Sequence, residues 1–458
     1  MMKSRSRIFK FWNLAWPVMT STALTAGFGL IDMGFISRIG TDAVAAVAAA
    51  SSLLRITMGA GEGIRAAVLA MTARYFGKGD RESINRTAAW GLVLALFSGV
   101  IIFILLISFR FPLMRFFEGS DAFRQGGAEY LTYAGLGSVF LFLYLASGAV
   151  FHGCGNTKIP LIVIAAANLV NIILDPLLIF GIGPFPEMGI AGAGLATLLG
   201  NLTGALLAVI LLSKSSGPVP PFRFIFSRGK PFFRDMARIS LPAAGQMSTR
   251  PFSGMLLIRM VSSFGTAPVA AFGIGLRLTS FCAVFTTGLS AAAAAMTGQA
   301  LGKENPAGAK AALKLGSRMG TVLFIIIGGI FFFLPAPLLG FFKPAPEVLS
   351  HGIRYLRILA PSLLFLGTMG SLQGIFRGSG DTPALIETSL LANFPGKLGG
   401  AFLFAFIWPA AAYGIWLGIA LSIVIETLLL ILWYRTGRWY KRITITGQPV
   451  TGTNKRKP

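Results

Sequence analysis

The chain has 458 residues, 54% of them hydrophobic and only 12% charged, with a mean hydropathy of +0.73. Soluble globular domains are about one-quarter charged, so this composition excludes a soluble protein and equally excludes a disordered one. The net charge of +24 would suggest nucleic acid as the partner of a soluble protein. In a chain this apolar it points instead to basic loops that fix membrane orientation, and no nucleic-acid partner is expected.

In chain order, a basic start (MMKSRSRIFK) runs into an apolar stretch, as a signal peptide would. That stretch belongs to an internal repeat, so it reads as a first span. Six apolar segments follow one another over 12–38, 44–72, 88–110, 128–152, 159–181 and 189–213. The segment 214–236 is Pro-rich, basic and poor in helix formers, and reads as a cytoplasmic linker. Six more segments cover 237–264, 269–300, 313–335, 352–377, 384–407 and 412–434, before a basic cytoplasmic tail over 435–458. Pairs of residues recur at one constant offset of 225. Pro17 matches Pro242, Gly40 and Thr41 match Gly265 and Thr266, and Gly77 and Lys78 match Gly302 and Lys303. Tyr130 matches Tyr355, Gly155 and Thr157 match Gly380 and Thr382, and Gly189 matches Gly414. An even number of spans per unit returns the chain to its starting side, so the two units are parallel. The expected fold is an all-α membrane protein of twelve transmembrane helices in two six-helix repeats. The repeats form an N-lobe (12–213) and a C-lobe (237–434) related by a pseudo-two-fold along the membrane normal. Duplication of this kind is characteristic of secondary transporters.

Of the 40 Lys and Arg residues, 27 fall at or beside the ends shared with the termini and seven at the opposite ends, with six inside the spans. The asymmetry predicts cytoplasmic termini in a multi-pass protein of the cell membrane. Cys154, Cys282, His152 and His351 make neither a metal-ligand spacing nor a disulfide framework. No phosphate-binding Gly-x-x-x-x-Gly-Lys-Ser/Thr motif and no catalytic set is present, so the chain is not expected to be an enzyme, to use ATP directly or to hold a cofactor.

An ionisable side chain at the bilayer centre costs at least ~2.5 kcal/mol, so each one needs a partner, water or a task. The acids inside spans are Asp32, Glu62, Asp175 and Glu426, and the bases are Arg55, Arg65, Arg250, Arg259, Arg277 and Lys397. By topology alone, Asp32 in helix 1, Asn171 and Asp175 in helix 5 and Thr197 in helix 6 fall at similar depth in the outer half of the first repeat. Their oxygens suit a small hard cation such as Na⁺, and two carboxylates held close could take a proton instead. A hydrogen-bond network is the structural alternative. Arg55, Glu62 and Arg65 share an arc of roughly 80° on helix 2, either as an ion-paired stripe or as part of a substrate cavity. At the positions equivalent to Asp32 and Asp175 the second repeat has Leu257 and Gly400. It carries Arg250, Lys397 and Glu426 instead, with Glu426 a candidate partner for Lys397. Pro17 is either a hinge in helix 1 or a helix-start proline. Met19, Met33, Met247, Met255 and Met260 fill the core or line an adaptable cavity.

Several motifs taken together resemble those of the multidrug and toxic compound extrusion (MATE) family. They are Gly-Thr-Asp at 40–42, Tyr-Phe-Gly-Lys-Gly-Asp at 75–80 and Gly-Cys-Gly-Asn-Thr-Lys at 153–158. The others are Asn171 to Leu177 with Asp175-Pro176, Gly-Ile-Ala-Gly-Ala-Gly-Leu-Ala-Thr at 189–197 and Arg-Gly-Ser-Gly-Asp-Thr at 377–382. The resemblance covers roughly 12–435. It implies an antiporter that exports small organic solutes, amphipathic and often cationic, in exchange for Na⁺ or H⁺ by alternating access. It also implies a coupling-cation site at Asp32, Asn171, Asp175 and Thr197, and a helix 1 that bends at Pro17. Some branches of the family have an acid where this chain has Arg250, which opens anionic or zwitterionic cargo as well. Membrane lipids and a monovalent cation are the other expected partners, and the protein is expected to act as a monomer. A flippase of lipid-linked oligosaccharide from the same superfamily is the alternative, against which the Asn-x-x-x-Asp of helix 5 stands.

Overall fold

A computed structural model describes residues 2–117, 119–214, 229–408 and 411–441, and among these every regular element is helical. Most of the linker and most of the tail expected from the sequence lie outside the described residues. The first repeat comprises α1 (Met2–Ile36), α2 (Thr41–Lys78), α3 (Arg81–Arg115), α4 (Asp121–Gly153), α5 (Lys158–Phe180) and α6 (Gly189–Lys214). The second begins with α7 (Gly229–Ser262), α8 (Thr266–Gly302), α9 (Pro306–Phe333) and the short α10 (Pro335–Gly340). Ten helical stretches are long and apolar enough to cross a membrane. An eleventh is the pair α11 (Pro346–Leu363) and α12 (Leu366–Ser379), bent by 53°. The twelfth is α7, whose 34 residues suffice in length but include Arg250, Pro242 and Pro251. Helix α7 starts eight residues before the expected span, within the stretch read as linker.

The span that follows α12 is not a plain helix. It starts as α13 (Thr382–Leu391), widens to π geometry over Ala392–Gly399, returns to α for Gly400–Phe402 (α14) and widens again over Leu403–Ile407. Pro395 sits inside the first π segment. It has no N–H to give the carbonyl four residues back, so a wider register is the way the ladder continues. The chain closes with α15 (Ala412–Arg435) and α16 (Arg438–Lys441).

The duplication is visible in the backbone. Left-handed φ values recur at offset 225 in three turns, at Gly40 and Gly265, at Gly79 and Glu304, and at Gly155 and Gly380. Matched residues also do matched work. Proline leaves a carbonyl one turn back without its N–H donor. Thr157 Oγ1 donates to Asn13 O (3.1 Å), four residues before Pro17, and Thr382 Oγ1 donates to Ile239 O (2.7 Å), three before Pro242. The matched threonines thus both bond a carbonyl one turn before the matched prolines, the one freed by Pro17 in the first repeat and its neighbour in the second.

The lobes interlock at the end that carries the termini. Phe11, Leu14, Ala15 and Met19 of α1 are buried in the core of the second lobe, while Phe232, Met236 and Ile239 of α7 are buried in that of the first. Phe11 and Leu14 are the repeat equivalents of Met236 and Ile239, so the exchange is reciprocal. Close by, α2 and α8 cross so tightly that a Cβ on Gly77 would overlap the Gln299 carbonyl and one on Gly302 the Arg74 carbonyl. These contacts also interchange under the 225 offset, as a two-fold axis between the helices requires. At the opposite end the first helices of the lobes stand free. Gly27, Gly29 and Gly34 of α1 and Gly254 of α7 have open space where a side chain would be. The lobes therefore meet at the terminal end and diverge into a cleft toward the other.

Candidate cation site and charged cleft

The first-lobe residues come from five helices. Asp175 is fully buried on α5 and accepts a hydrogen bond from Asn171 Nδ2 (3.3 Å), one turn earlier on the same face. The Asp32 carboxyl of α1 lies within hydrogen-bonding reach of Asp175. Asp32 Oδ1 and Asp175 Oδ2 are both buried without a donor. Two ionised carboxylates only accept hydrogen bonds, so the pair as it stands needs a proton or a cation to satisfy it. Thr197 Oγ1 donates to Ala193 O (3.0 Å) within α6 and makes no direct bond to either acid; the Tyr130 hydroxyl lies near it. That hydroxyl reaches the side chains of Thr197 and Ser51 and lies within the electrostatic range of both acids. Asn168 adds a buried Nδ2 without a partner, on the α5 face that carries Asn171 and Asp175. Tyr130 and Asn168 did not stand out in the sequence. Tyr130 appeared there only as a repeat mark, although an asparagine one turn before Asn171 was a readable signal.

The second lobe uses the same depth differently. Leu257 is buried in the apolar core, and a side chain on Gly400 would meet Leu421. One face of α7 organises the charges instead. Gln246 Oε1 accepts from Arg377 Nη2 (3.2 Å). One turn on, Arg250 Nη2 bridges both carboxylate oxygens of Glu426 (3.1 Å each), and Gln373 Nε2 also donates to Glu426 (2.8 Å). Ser253, the next residue on this face, accepts from Lys397 Nζ (2.7 Å) and donates to Asn393 Oδ1 (3.3 Å). Glu426 therefore bonds Arg250 and Gln373, not Lys397 as the sequence had suggested. Lys397 lies within the π segment Ala392–Gly399.

The α2 stripe divides. Arg65 Nε and Glu62 Oε2 form an ion pair at 2.8 Å, whereas Arg55 is exposed and donates only to Ser52 on its own helix (2.6 Å). Glu62, Arg65, Gln246, Met247, Thr287, Ser290 and Arg377 line the apex of the cleft, where α2 faces α7, α8 and α12. Arg377 was not singled out in the sequence, because it lies at the very end of its span. Pro17 is buried in the interior of α1, which begins at Met2. A helix-start role is thereby excluded.

A duplicated twelve-helix frame, an interlobe cleft and buried charge on both walls are the architecture of a multi-pass membrane transporter. The chain belongs to the MatE family, whose description matches residues 17–177 and again 242–397. The two matches start at Pro17 and Pro242, one repeat length apart. A probable multidrug resistance protein NorM of Thermotoga maritima is 26% identical over 446 residues, covering 96% of this chain and 94% of the relative. An FAD transporter of Shewanella oneidensis is 29% identical over 354 residues, 76% of this chain and 77% of the relative. Among solved structures, a Vibrio cholerae MATE transporter superimposes with a TM-score of 0.89 at 21% identity, covering 96% of this chain and all of that one.

Proposed function

We propose that this protein is a secondary antiporter of the cell membrane that exports small amphipathic organic solutes by alternating access, driven by entry of Na⁺ or H⁺ through the first lobe. The observation that carries this reading is the Asp32–Asp175 pair, two neighbouring carboxyl groups each with one buried oxygen that lacks a donor. Binding a cation there removes like-charge repulsion and lets α1 and α5 approach. Pro17 lies just where α1 leaves the core of the opposite lobe for its own, so a bend there couples the acid pair to the interlobe contact. The relatives named for multidrug resistance and for FAD support a cargo of the size of a drug or nucleotide.

Purified protein in liposomes tests the antiport. A fluorescent solute should accumulate inside the liposomes against its gradient when an outward-directed Na⁺ or H⁺ gradient (high inside) is imposed, and dissipating the effective one should stop it. Transport indifferent to both gradients would sink the reading.

The positive-inside distribution supports cytoplasmic termini, an orientation in which the cleft opens outward. Glu187, exposed in the turn between α5 and α6, is then extracellular. Glu187→Cys should react with an impermeant thiol reagent from outside the cell. Ser215→Cys, in the linker outside the described residues, should react only after permeabilisation. Labelling of both from one side would overturn the topology.

A further inference from the structure

The cations around the cleft apex outnumber the acids that act on them. Arg65 and Arg250 have acidic partners in Glu62 and Glu426. Arg377 and Lys397 bond only neutral groups, Gln246 Oε1 and Ser253 Oγ. Among the described residues, the acids whose fields reach Arg377 are again Glu62 and Glu426, and the one that reaches Lys397 is Glu426. Two acids therefore serve four cations. Neutral dipoles orient a charge but do not cancel it, and an arginine cannot shed its proton to escape burial. The surplus is also organised. Gln246, Arg250 and Ser253 follow one face of α7 over two turns, so the cationic groups they hold or carry are spread along about 10 Å of helix. Arg250 spends only Nη2 on Glu426 and its side chain is 46% exposed. Beside these groups the apex wall is apolar, with Leu69, Ala243, Met247 and Ala291.

We infer that Arg377, Arg250 and Lys397 form a seat for the anionic head of an elongated amphipathic organic anion, a phosphate ester or a carboxylate, whose apolar body lies on the Met247 wall. This rests on the transporter reading above and narrows its cargo. Arg65, held by Glu62 at the apex, marks the closed end of the seat. The same chemistry, an anionic head on an apolar body, is offered by a soluble solute and by a phospholipid.

Equilibrium binding to the purified full chain in detergent, with no gradient, separates this inference from the antiport. The probes are flavin mononucleotide, riboflavin (the same ring without the phosphate) and the cation rhodamine 6G. Wild type should bind the mononucleotide about tenfold or more tighter than riboflavin, as charge-assisted hydrogen bonds require. That preference should shrink as salt is raised. Lys397→Gln and Arg377→Gln should each erode it while leaving riboflavin affinity unchanged. Addition of phosphatidylglycerol, with phosphatidylcholine as control, identifies the source. Displacement by the anionic lipid alone assigns the seat to a lipid phosphate, and no displacement assigns it to a soluble anion. Equal binding of mononucleotide and riboflavin by wild type, or preference for rhodamine 6G, overturns the inference without recourse to any variant. Gradient-driven export of a cation with no anion binding would leave the antiport standing and remove the seat.

Discussion

Asp32→Asn and Asp175→Asn should each reduce gradient-driven export to background while the protein inserts, folds and purifies as before. Neither change alters side-chain volume appreciably. Each supplies an amide that can donate to the facing carboxylate, where two acceptors otherwise meet, so thermal stability should be equal or higher. What disappears is one of the two charges that would hold the cation in the proposed antiport. A ligand interaction of charge-assisted strength corresponds to between about tenfold and a hundredfold in affinity. Cation binding should therefore fail at physiological concentrations. The second lobe supplies the control. Leu257 is the repeat equivalent of Asp32 but is packed in the apolar core, so Leu257→Met, a volume-conserving change, should cost less than ~1.5 kcal/mol and leave export intact. Measurements of solute uptake and of thermal unfolding on the three variants decide the matter. Loss of stability in step with loss of transport would reduce the acid pair to a structural network.

The parts of this architecture that were legible in the sequence are those that depend on spacing. Hydropathy marks a span whatever its partner, and the offset of 225 paired Gly40 with Gly265 and Thr157 with Thr382, positions that do equivalent work in the fold. Common depth brought Asp32, Asn171 and Asp175 together correctly, because topology alone sets depth. The features that stayed hidden depend on register or on tertiary partners. The 53° bend between Leu363 and Leu366 leaves the apolar run uninterrupted. The π segment around Pro395 leaves no mark in hydropathy, and the contacts of Lys397 with Ser253 and of Glu426 with Arg250 join helices far apart in the chain, which spacing does not encode. The burial of the start of α1 in the opposite lobe follows from a crossing that hydropathy does not encode.

Arg250→Gln should destabilise the protein as well as impair transport, because it strands a carboxylate. Glu426 is only 6% exposed at its side chain, and without Arg250 it retains a single donor, Gln373. Removing one member of a buried pair costs ~3–5 kcal/mol. The lower end applies here, since Arg250 is itself 46% exposed and part of its attraction is screened by water in the cleft. The paired variant Arg250→Gln/Glu426→Gln removes the stranded charge and leaves two amides that can bond each other and Gln373. It should recover most of the stability lost by the single change. Recovery of folding without recovery of transport would separate the two tasks of the arginine, since Glu426 then no longer needs a partner while the cleft still lacks one of its cations. If the double variant is as unstable as Arg250→Gln, the cost lies in the packing of the arginine side chain on α7 and not in the charge it neutralises.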